Sequence, residues 1–281
     1  MWRYIFVFIL FISCKKDEPT MADDPLSSAF KGKMSISYHD IKLDIAVEKP
    51  AQKEADVLLV FHGTVLYDSL TLAAANGILE KFKELLDRKD MMIISVAYPG
   101  EKMLLGDNIA HAEAALLWVK NKAEDALKIK IKKVFLAGHS QGGYLVTRLN
   151  TMHATDGVIA NAPGPLNLVY RCELEETGKI PSGVFCTRLR MQYGTTSTNP
   201  SAYMDRSLLS FVDGFKADIL FVQGLNDTPI QMNSWPVFKR EIQQCGQCKQ
   251  VKILEIAGGE HASLFVSPNA KTEFNAFINS R

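Results

Sequence analysis

The stretch VFLAGHSQGG, residues 134–143, decides the fold. It begins with an apolar run typical of a strand buried on both faces of a sheet, and it leads into a segment with helical spacing. Between the two lies G-x-S-x-G, which predicts a sharp strand-to-helix turn that exposes the hydroxyl of Ser140. The glycines leave room for a close backbone approach, and the helix N-terminus offers unpaired N–H groups. A glycine-rich turn with an incidental serine is the alternative.

The rest of the chain alternates apolar runs with amphipathic segments. Further buried strands are predicted at residues 57–61, 91–97, 158–160, 219–222 and 251–256. Helices are predicted at residues 69–88, 109–127, 141–152, 231–244 and 269–278. Residues 33–49 alternate apolar and polar side chains, which indicates an antiparallel hairpin with its turn near residues 39–40. This order predicts an α/β fold, with one mostly parallel sheet and helices on both of its faces.

Residues 165–214 interrupt this alternation. They hold two cysteines, clusters of glycine, proline, threonine and serine, and no clear strand. At about 50 residues the segment is too long for a plain connection, so we expect a lid or cap. Because it lies between two predicted core strands, this lid is expected above their carboxyl ends, where open α/β sheets bind ligands.

Composition and charge exclude several classes of protein. The 281 residues are 47% hydrophobic and 22% charged, which is ordinary for a globular protein and unlike disordered, collagen-like or coiled-coil chains. Lysine and arginine number 32 against 31 aspartates and glutamates, a formal charge of +1. Since no basic excess is available to neutralise phosphates, we expect no nucleic-acid partner.

Residues 1–13 are predicted to be a targeting signal. Their apolar run, residues 4–12, is about half the roughly 20 residues that a membrane-spanning helix needs. With Ser13 and Cys14 the segment resembles a bacterial lipoprotein signal, which implies cleavage before Cys14 and a lipid on that residue. An uncleaved N-terminal anchor and a simple secretory signal are the alternatives.

The signal also divides the chain. Residues 14–31 are predicted to be a flexible tether, and residues 32–281 the folded domain. The lipoprotein resemblance implies export and membrane anchoring through Cys14 in the bacterial cell envelope, either in the periplasm or at the surface.

Four cysteines follow Cys14 in the chain: Cys172, Cys186, Cys245 and Cys248. An exported chain meets an oxidising compartment, which favours disulfides, and four cysteines allow three pairings. Proximity favours Cys172–Cys186 and Cys245–Cys248 but leaves the pairing open. A single C-x-x-C without a second pair is weak evidence for zinc, so we expect structural disulfides and no metal.

A serine hydroxyl needs a base, and the base needs an acid to orient it. His261 lies in a glycine-bearing loop after the last predicted strand, from which it can reach the edge where Ser140 projects. Asp227 follows the penultimate strand at its carboxyl end, and Asp205 in the insertion is the weaker alternative. The chain order Ser140, Asp227, His261 predicts a catalytic triad. His139, next to the serine on a tight turn, is expected to point away from it.

At these residues the chain resembles an α/β-hydrolase, across about residues 33–281. The turn at Ser140, the loop of Asp227 and the Gly-Gly-Glu-His loop that ends at His261 resemble the dienelactone-hydrolase and prolyl-oligopeptidase-like branches. The resemblance implies that Ser140 is the nucleophile, that His261 acts as general base and then as general acid, and that Asp227 orients the histidine.

The resemblance extends to FHGTV, residues 61–65, which matches the family's His-Gly oxyanion loop. It implies an oxyanion hole formed by the backbone N–H groups of Gln141 and Thr64, with Val65 as the alternative to Thr64. His62 is expected to support this loop. Neither a dinucleotide-binding G-x-G-x-x-G nor a P-loop is present in the sequence, so no cofactor is implied.

Together these features predict a serine esterase that cleaves small-molecule or acylated-glycan esters through an acyl-enzyme intermediate. A serine peptidase of the prolyl-oligopeptidase-like type is one alternative. A non-catalytic surface lipoprotein that uses the fold for binding is another. The substrate-binding residues stay unassigned, although five aromatics could line the pocket or be ordinary core and surface residues: Tyr67, Tyr98, Tyr193, Tyr203 and Trp235.

Overall fold

The computed structural model describes residues 28–281 of the chain. The predicted signal, most of the predicted tether and the lipidation site at Cys14 therefore lie outside the described residues. The strands are β1 Phe30–Tyr38, β2 Ile41–Lys49, β3 Glu54–Phe61, β4 Met92–Ala97, β5 Lys130–His139, β6 Gly157–Asn161, β7 Ile219–Gly224 and β8 Val251–Ile256.

These strands form one eight-stranded sheet with the order β1-β2-β4-β3-β5-β6-β7-β8. β1 and β2 are the predicted hairpin, and β2 pairs antiparallel with β4. All other neighbours are parallel, which confirms the predicted α/β sheet. The carboxyl ends of β5, β7 and β8 consequently lie at the same edge.

The helices are α1 Thr71–Leu85, α2 Ile109–Asn121, α3 Ala123–Leu127, α4 Gln141–Met152, α5 Leu168–Glu176, α6 Val184–Tyr193, α7 Pro200–Met204, α8 Pro229–Gln243, α9 Ser263–Val266 and α10 Pro268–Asn279. One prediction is wrong, because residues 109–127 form two helices and not one. Lys122 is not helical, with φ −134° and ψ −24°, so the chain changes direction there. The following helix, α3, buries Ala123 and Leu127.

Each face of the sheet carries its own apolar core. Successive side chains of a strand point to opposite faces, so Leu59 of β3 belongs to the core that includes residues of α2, α4 and α8, whereas Leu58 belongs to the core that includes residues of α1 and α10. Helices cover both faces, as predicted. No helix within residues 28–281 is long and apolar enough to cross a membrane.

The segment 165–214 folds as the three short helices α5, α6 and α7, which the sequence did not indicate, and it contains no strand. It has a small apolar cluster of its own that includes Leu168, Leu189 and Tyr203. A disulfide between Cys172 of α5 and Cys186 of α6 crosses this cluster. The second disulfide joins Cys245 to Cys248 after α8, so both pairs are those that proximity favours.

The turn between β5 and α4 depends on close backbone packing. Ser140 has φ +56° and ψ −117°, a conformation that costs a residue with a side chain about 1–3 kcal/mol. A Cβ on Gly142 would overlap the backbone carbonyl of Phe61 at the end of β3, and one on Gly138 would overlap the carbonyl of Gly142. The two glycines let α4 begin directly against the sheet, which holds Ser140 in its strained turn.

This packing predicts opposite effects for two glycine-to-alanine changes. Gly142→Ala should lower the free energy of unfolding by about 3 kcal/mol, because the new methyl group must displace backbone. Gly77→Ala, inside α1 with open space around it, should raise that free energy by roughly 0.5–1 kcal/mol. Urea denaturation of both variants measures the difference. Equal stability of the two variants would show that α4 does not press against β3.

Candidate active site

Three predicted residues meet at the carboxyl edge of the sheet. Ser140 follows β5, Asp227 lies in the loop after β7, and His261 lies in the loop after β8. The two loops are tied by a hydrogen bond from the Asn226 N–H to the Gly259 carbonyl, 2.7 Å long. Ser140 and His261 both line one cavity of about 300 Å³. Asp205, the alternative acid, does not line it.

The histidine and the aspartate form a direct pair. His261 Nδ1 lies 2.8 Å from Asp227 Oδ2, and an ionised carboxylate can only accept a hydrogen bond. Nδ1 therefore carries the proton, which leaves Nε2 with a lone pair that can accept one. The side chain of Asp227 is completely buried, whereas that of His261 is 41% exposed and open to the cavity.

Asp227 stays ionised despite its burial. Burial alone raises the pKa of this carboxyl group, but hydrogen bonds outweigh it and hold the pKa below its ordinary value. His261 donates one of these bonds, and Gln223 Nε2 and the Thr228 N–H donate the others, at 2.9 and 2.6 Å. Three hydrogen-bond donors of the protein thus take the place of water around this carboxylate, which keeps its charge.

Two glutamines that the sequence did not indicate support the acid. Gln231 Nε2 donates to Gln223 Oε1 at 3.1 Å and to the Pro163 carbonyl at 2.9 Å. This turns the amide nitrogen of Gln223 toward Asp227. The sequence signal that could have revealed Gln223 is a polar residue near the end of the apolar strand β7, four positions before Asp227. The hydrogen bonds of the Gln223 side-chain amide limit the rotation of the Asp227 carboxylate.

The loop of residues 61–65 is held rigidly beside the serine. His62 is 3% exposed and stacks on Tyr98, with ring centroids 4.1 Å apart. Its Nδ1 donates to the Gly63 carbonyl at 2.6 Å, and the Tyr98 hydroxyl donates to the His62 carbonyl. Thr64 lines the cavity, and Gln141 is the first residue of α4. The first N–H groups of a helix have no acceptor within it, and Gln141 carries the first of these groups in α4.

His139 lies closer to the site than expected. Its ring is 4.9 Å from that of His261, measured between centroids, and its Nδ1 lies 2.8 Å from Asn161 Nδ2. Burial, together with repulsion from His261, lowers the pKa of His139 to about 4. A neutral His139 therefore packs beside His261 without opposing a positive charge on that ring.

The cavity walls come from the sheet edge, from α8 and from the cap helices. The lining residues are Thr64, Leu105, Ser140, Gly164, Pro165, Leu166, Asn167, Arg171, Phe185, Thr228, Ile230, Gln231, Ser234 and His261. None of the five aromatics considered in the sequence lines it, which agrees with the alternative that they are ordinary core and surface residues. Tyr98, Tyr203 and Trp235 are core residues, and Tyr67 is 59% exposed. The aromatic residue of the cavity is Phe185.

Metal ligation has weak support within residues 28–281. The one cluster of three potential ligands there is Asp213, Cys245 and Cys248. Both cysteine sulfurs belong to the disulfide, so neither is a thiolate that could bind a metal ion.

The burial of His62 predicts a pH dependence of stability. Burial lowers the pKa of this histidine to about 4, from about 6.5 in the unfolded chain. Between these values the unfolded state binds the extra proton, so His62 contributes stability that is complete above pH 6.5 and lost as the pH falls toward 4. The contribution lost between pH 7 and pH 5 is roughly 2 kcal/mol.

Urea denaturation at the two pH values tests this for the parent, His62→Gln and His39→Asn. In His62→Gln the loss of unfolding free energy between pH 7 and pH 5 should be smaller than in the parent by roughly 2 kcal/mol, because glutamine does not titrate. His39 is exposed in the hairpin turn, and His39→Asn should keep the parent's dependence. A parent and a His62→Gln variant with the same pH dependence would contradict the burial of a neutral imidazole.

Solved structures resemble this chain in fold. An esterase of Pyrobaculum calidifontis superposes with a TM-score of 0.64 at 15% identity, over 91% of this chain and 87% of that chain. Est1E from Butyrivibrio proteoclasticus gives 0.59 at 18% identity, over 88% and 99%. The acylaminoacyl peptidase of Pyrococcus horikoshii gives 0.64 at 16% identity, over 90% of this chain. This chain spans only 42% of that peptidase, and identities this low show the fold alone.

No curated protein sequence matches the chain. A family model described as alpha/beta hydrolase fold matches residues 59–263, which include the serine turn, the cap and the loops of Asp227 and His261. The sheet order, the strained serine turn and this match agree. The chain belongs to the alpha/beta hydrolase fold family.

Proposed function

We propose that the protein is a serine hydrolase that cleaves carboxylic esters through an acyl-enzyme intermediate. The observation that carries the proposal is the 2.8 Å hydrogen bond between His261 and a buried, ionised Asp227, in a cavity that Ser140 also lines. The pair leaves His261 Nε2 able to accept a proton in the cavity that the half-buried Ser140 also lines.

The mechanism follows from these positions. Ser140 Oγ attacks the ester carbonyl carbon while its proton passes to His261 Nε2, and the electron pair of the C=O bond moves to oxygen. The N–H groups of Gln141 and Thr64 stabilise this oxyanion. His261 then returns the proton to the departing alkoxide, and the acyl group stays on Ser140. A water molecule attacks the acyl group by the same proton route and releases the acid and the free serine.

An ester fits the site better than a peptide does. The cavity, at about 300 Å³, lies at the small end of the range for ligand sites and suits a small acyl or alcohol group. An alkoxide also leaves without strictly timed protonation, which an amide nitrogen requires. The similar solved structures include both esterases and an acylaminoacyl peptidase, so a peptidase is the second candidate.

Location is part of the same proposal. The resemblance of residues 1–14 to a lipoprotein signal supports a protein that is exported and held on a membrane of the cell envelope by a lipid on Cys14. The Cys172–Cys186 and Cys245–Cys248 disulfides are consistent with an oxidising compartment.

Hydrolysis of p-nitrophenyl acetate by matched variants tests the proposed chemistry. Ser140→Ala should lower kcat/KM by at least about 10⁴-fold, since it removes the nucleophile. Asp227→Asn should lower kcat/KM by about 10³–10⁴-fold, because an amide in this position favours the wrong tautomer of His261. Peptide p-nitroanilides assayed in parallel distinguish the esterase from the peptidase.

His153→Gln is the control for the loss of a histidine outside the cavity. His153 Nε2 lies 2.7 Å from Glu113 Oε1, at the end of α4 and away from the cavity. Its replacement should therefore leave kcat/KM unchanged. A Ser140→Ala variant with the parent's kcat/KM would refute the proposal. Faster cleavage of the p-nitroanilides than of the ester would favour the peptidase.

A further inference from the structure

One lining residue of the cavity carries a permanent charge, and it belongs to the cap. Arg171, on α5, lines the cavity that Ser140 and His261 also line. Among the described residues, no carboxylate lines this cavity. A permanent positive charge without a lining counterion is unusual in a site that accepts only neutral esters, because burying it against an apolar substrate costs solvation.

The guanidinium of Arg171 is only partly used by the protein. Its Nε lies 3.4 Å from Glu175 Oε1, one helical turn further along α5. Glu175 is buried and already accepts a hydrogen bond from the Gly183 N–H at 2.7 Å. Within residues 28–281 neither Nη1 nor Nη2 of Arg171 has a hydrogen-bond partner, and the side chain is 34% exposed. Glu175 therefore orients the guanidinium by its Nε edge and leaves the Nη groups free.

A disulfide restrains the backbone of the cap next to Arg171. Arg171 directly precedes Cys172, and Phe185, which also lines the cavity, directly precedes Cys186. The disulfide between the two cysteines thus joins the two cap helices next to their cavity-lining residues. A binding group that is held in position before the ligand arrives loses less entropy when the ligand binds.

A helix-stabilising ion pair is the alternative explanation for Arg171. Pairs of this type on a helix contribute little to stability. The partly exposed Arg171 lines the active-site cavity, however, and the buried Glu175 has a second donor in Gly183. The ion pair uses the Nε edge alone and leaves both Nη groups without a hydrogen-bond partner among the described residues.

We propose that the two Nη groups of Arg171 bind a carboxylate of the substrate, so that the preferred substrates are esters that also carry a free carboxylate. A guanidinium offers parallel N–H donors that match the two oxygens of a carboxylate, which a lysine cannot do. This inference rests on the proposed function, since it names the class of ester cleaved at Ser140. The small cavity places the carboxylate and the scissile ester in one compact molecule.

Two pairs of esters of similar length test the inference. Monomethyl adipate and methyl hexanoate differ in a carboxylate on the acyl side, and 4-acetoxybutanoate and butyl acetate differ in one on the alcohol side. For each pair the measured quantity is the ratio of kcat/KM for the anionic ester to that for the neutral ester. The parent should prefer the anionic member of at least one pair.

Arg171→Met keeps an apolar stem of similar reach and removes the charge, so it should lower that ratio by about 10- to 100-fold. Arg171→Lys keeps the charge without the paired donors, so its ratio should lie between those of the parent and Arg171→Met. Arg188→Met is the control, because Arg188 lies on α6 of the same cap but does not line the cavity. It should keep the parent's ratio.

The outcomes separate the inference from the function on which it rests. A parent that hydrolyses p-nitrophenyl acetate through Ser140 but prefers neither anionic ester would overturn the carboxylate site and leave the esterase intact. An equal loss on both members of each pair in Arg171→Met would also overturn it, since that result indicates a structural role. No dependence of p-nitrophenyl acetate hydrolysis on Ser140 would overturn the function and the inference together.

Discussion

The strained turn at Ser140 is the constraint on which the site depends. A serine with φ +56° is tolerated only because the surrounding packing fixes the backbone in this conformation. Gly138 and Gly142 allow β5, α4 and the end of β3 to approach within backbone contact. Since the turn lies at the carboxyl edge of a parallel sheet, residues from the loops after β7 and β8 reach the same point without long excursions.

Charge is arranged around that turn in a way that suits proton transfer. A carboxylate with three protein donors faces His261, and the two nearby histidines, His62 and His139, are both kept neutral by burial. A proton that arrives on His261 therefore meets one negative group and no competing positive imidazole. Among the described residues, Arg171 is the one lining residue of the cavity with a permanent positive charge, and it lies on α5.

The sequence predicts the sheet and its edge well, because strands buried on both faces must be continuously apolar and the chain order Ser140, Asp227, His261 follows the order of the strands. It predicts a cap at residues 165–214 but not the helices within it. The helices α5 to α7 are short, and a disulfide and a small cluster hold them together, so helical periodicity is weak there. Arg171 lines the cavity and Gln223 donates to Asp227 as a result of tertiary packing, which no local sequence pattern reveals.

Covalent labelling of the protein with a fluorophosphonate, followed by peptide mapping, tests the central claim most directly. This reagent reacts with serines that an adjacent base has activated, so the account predicts modification of the peptide that contains Ser140. The modification should disappear in Ser140→Ala and slow by at least about 10³-fold in a His261→Gln variant. A folded protein that the reagent leaves unmodified, or modifies at another serine, would contradict the claim that Ser140 is an activated nucleophile.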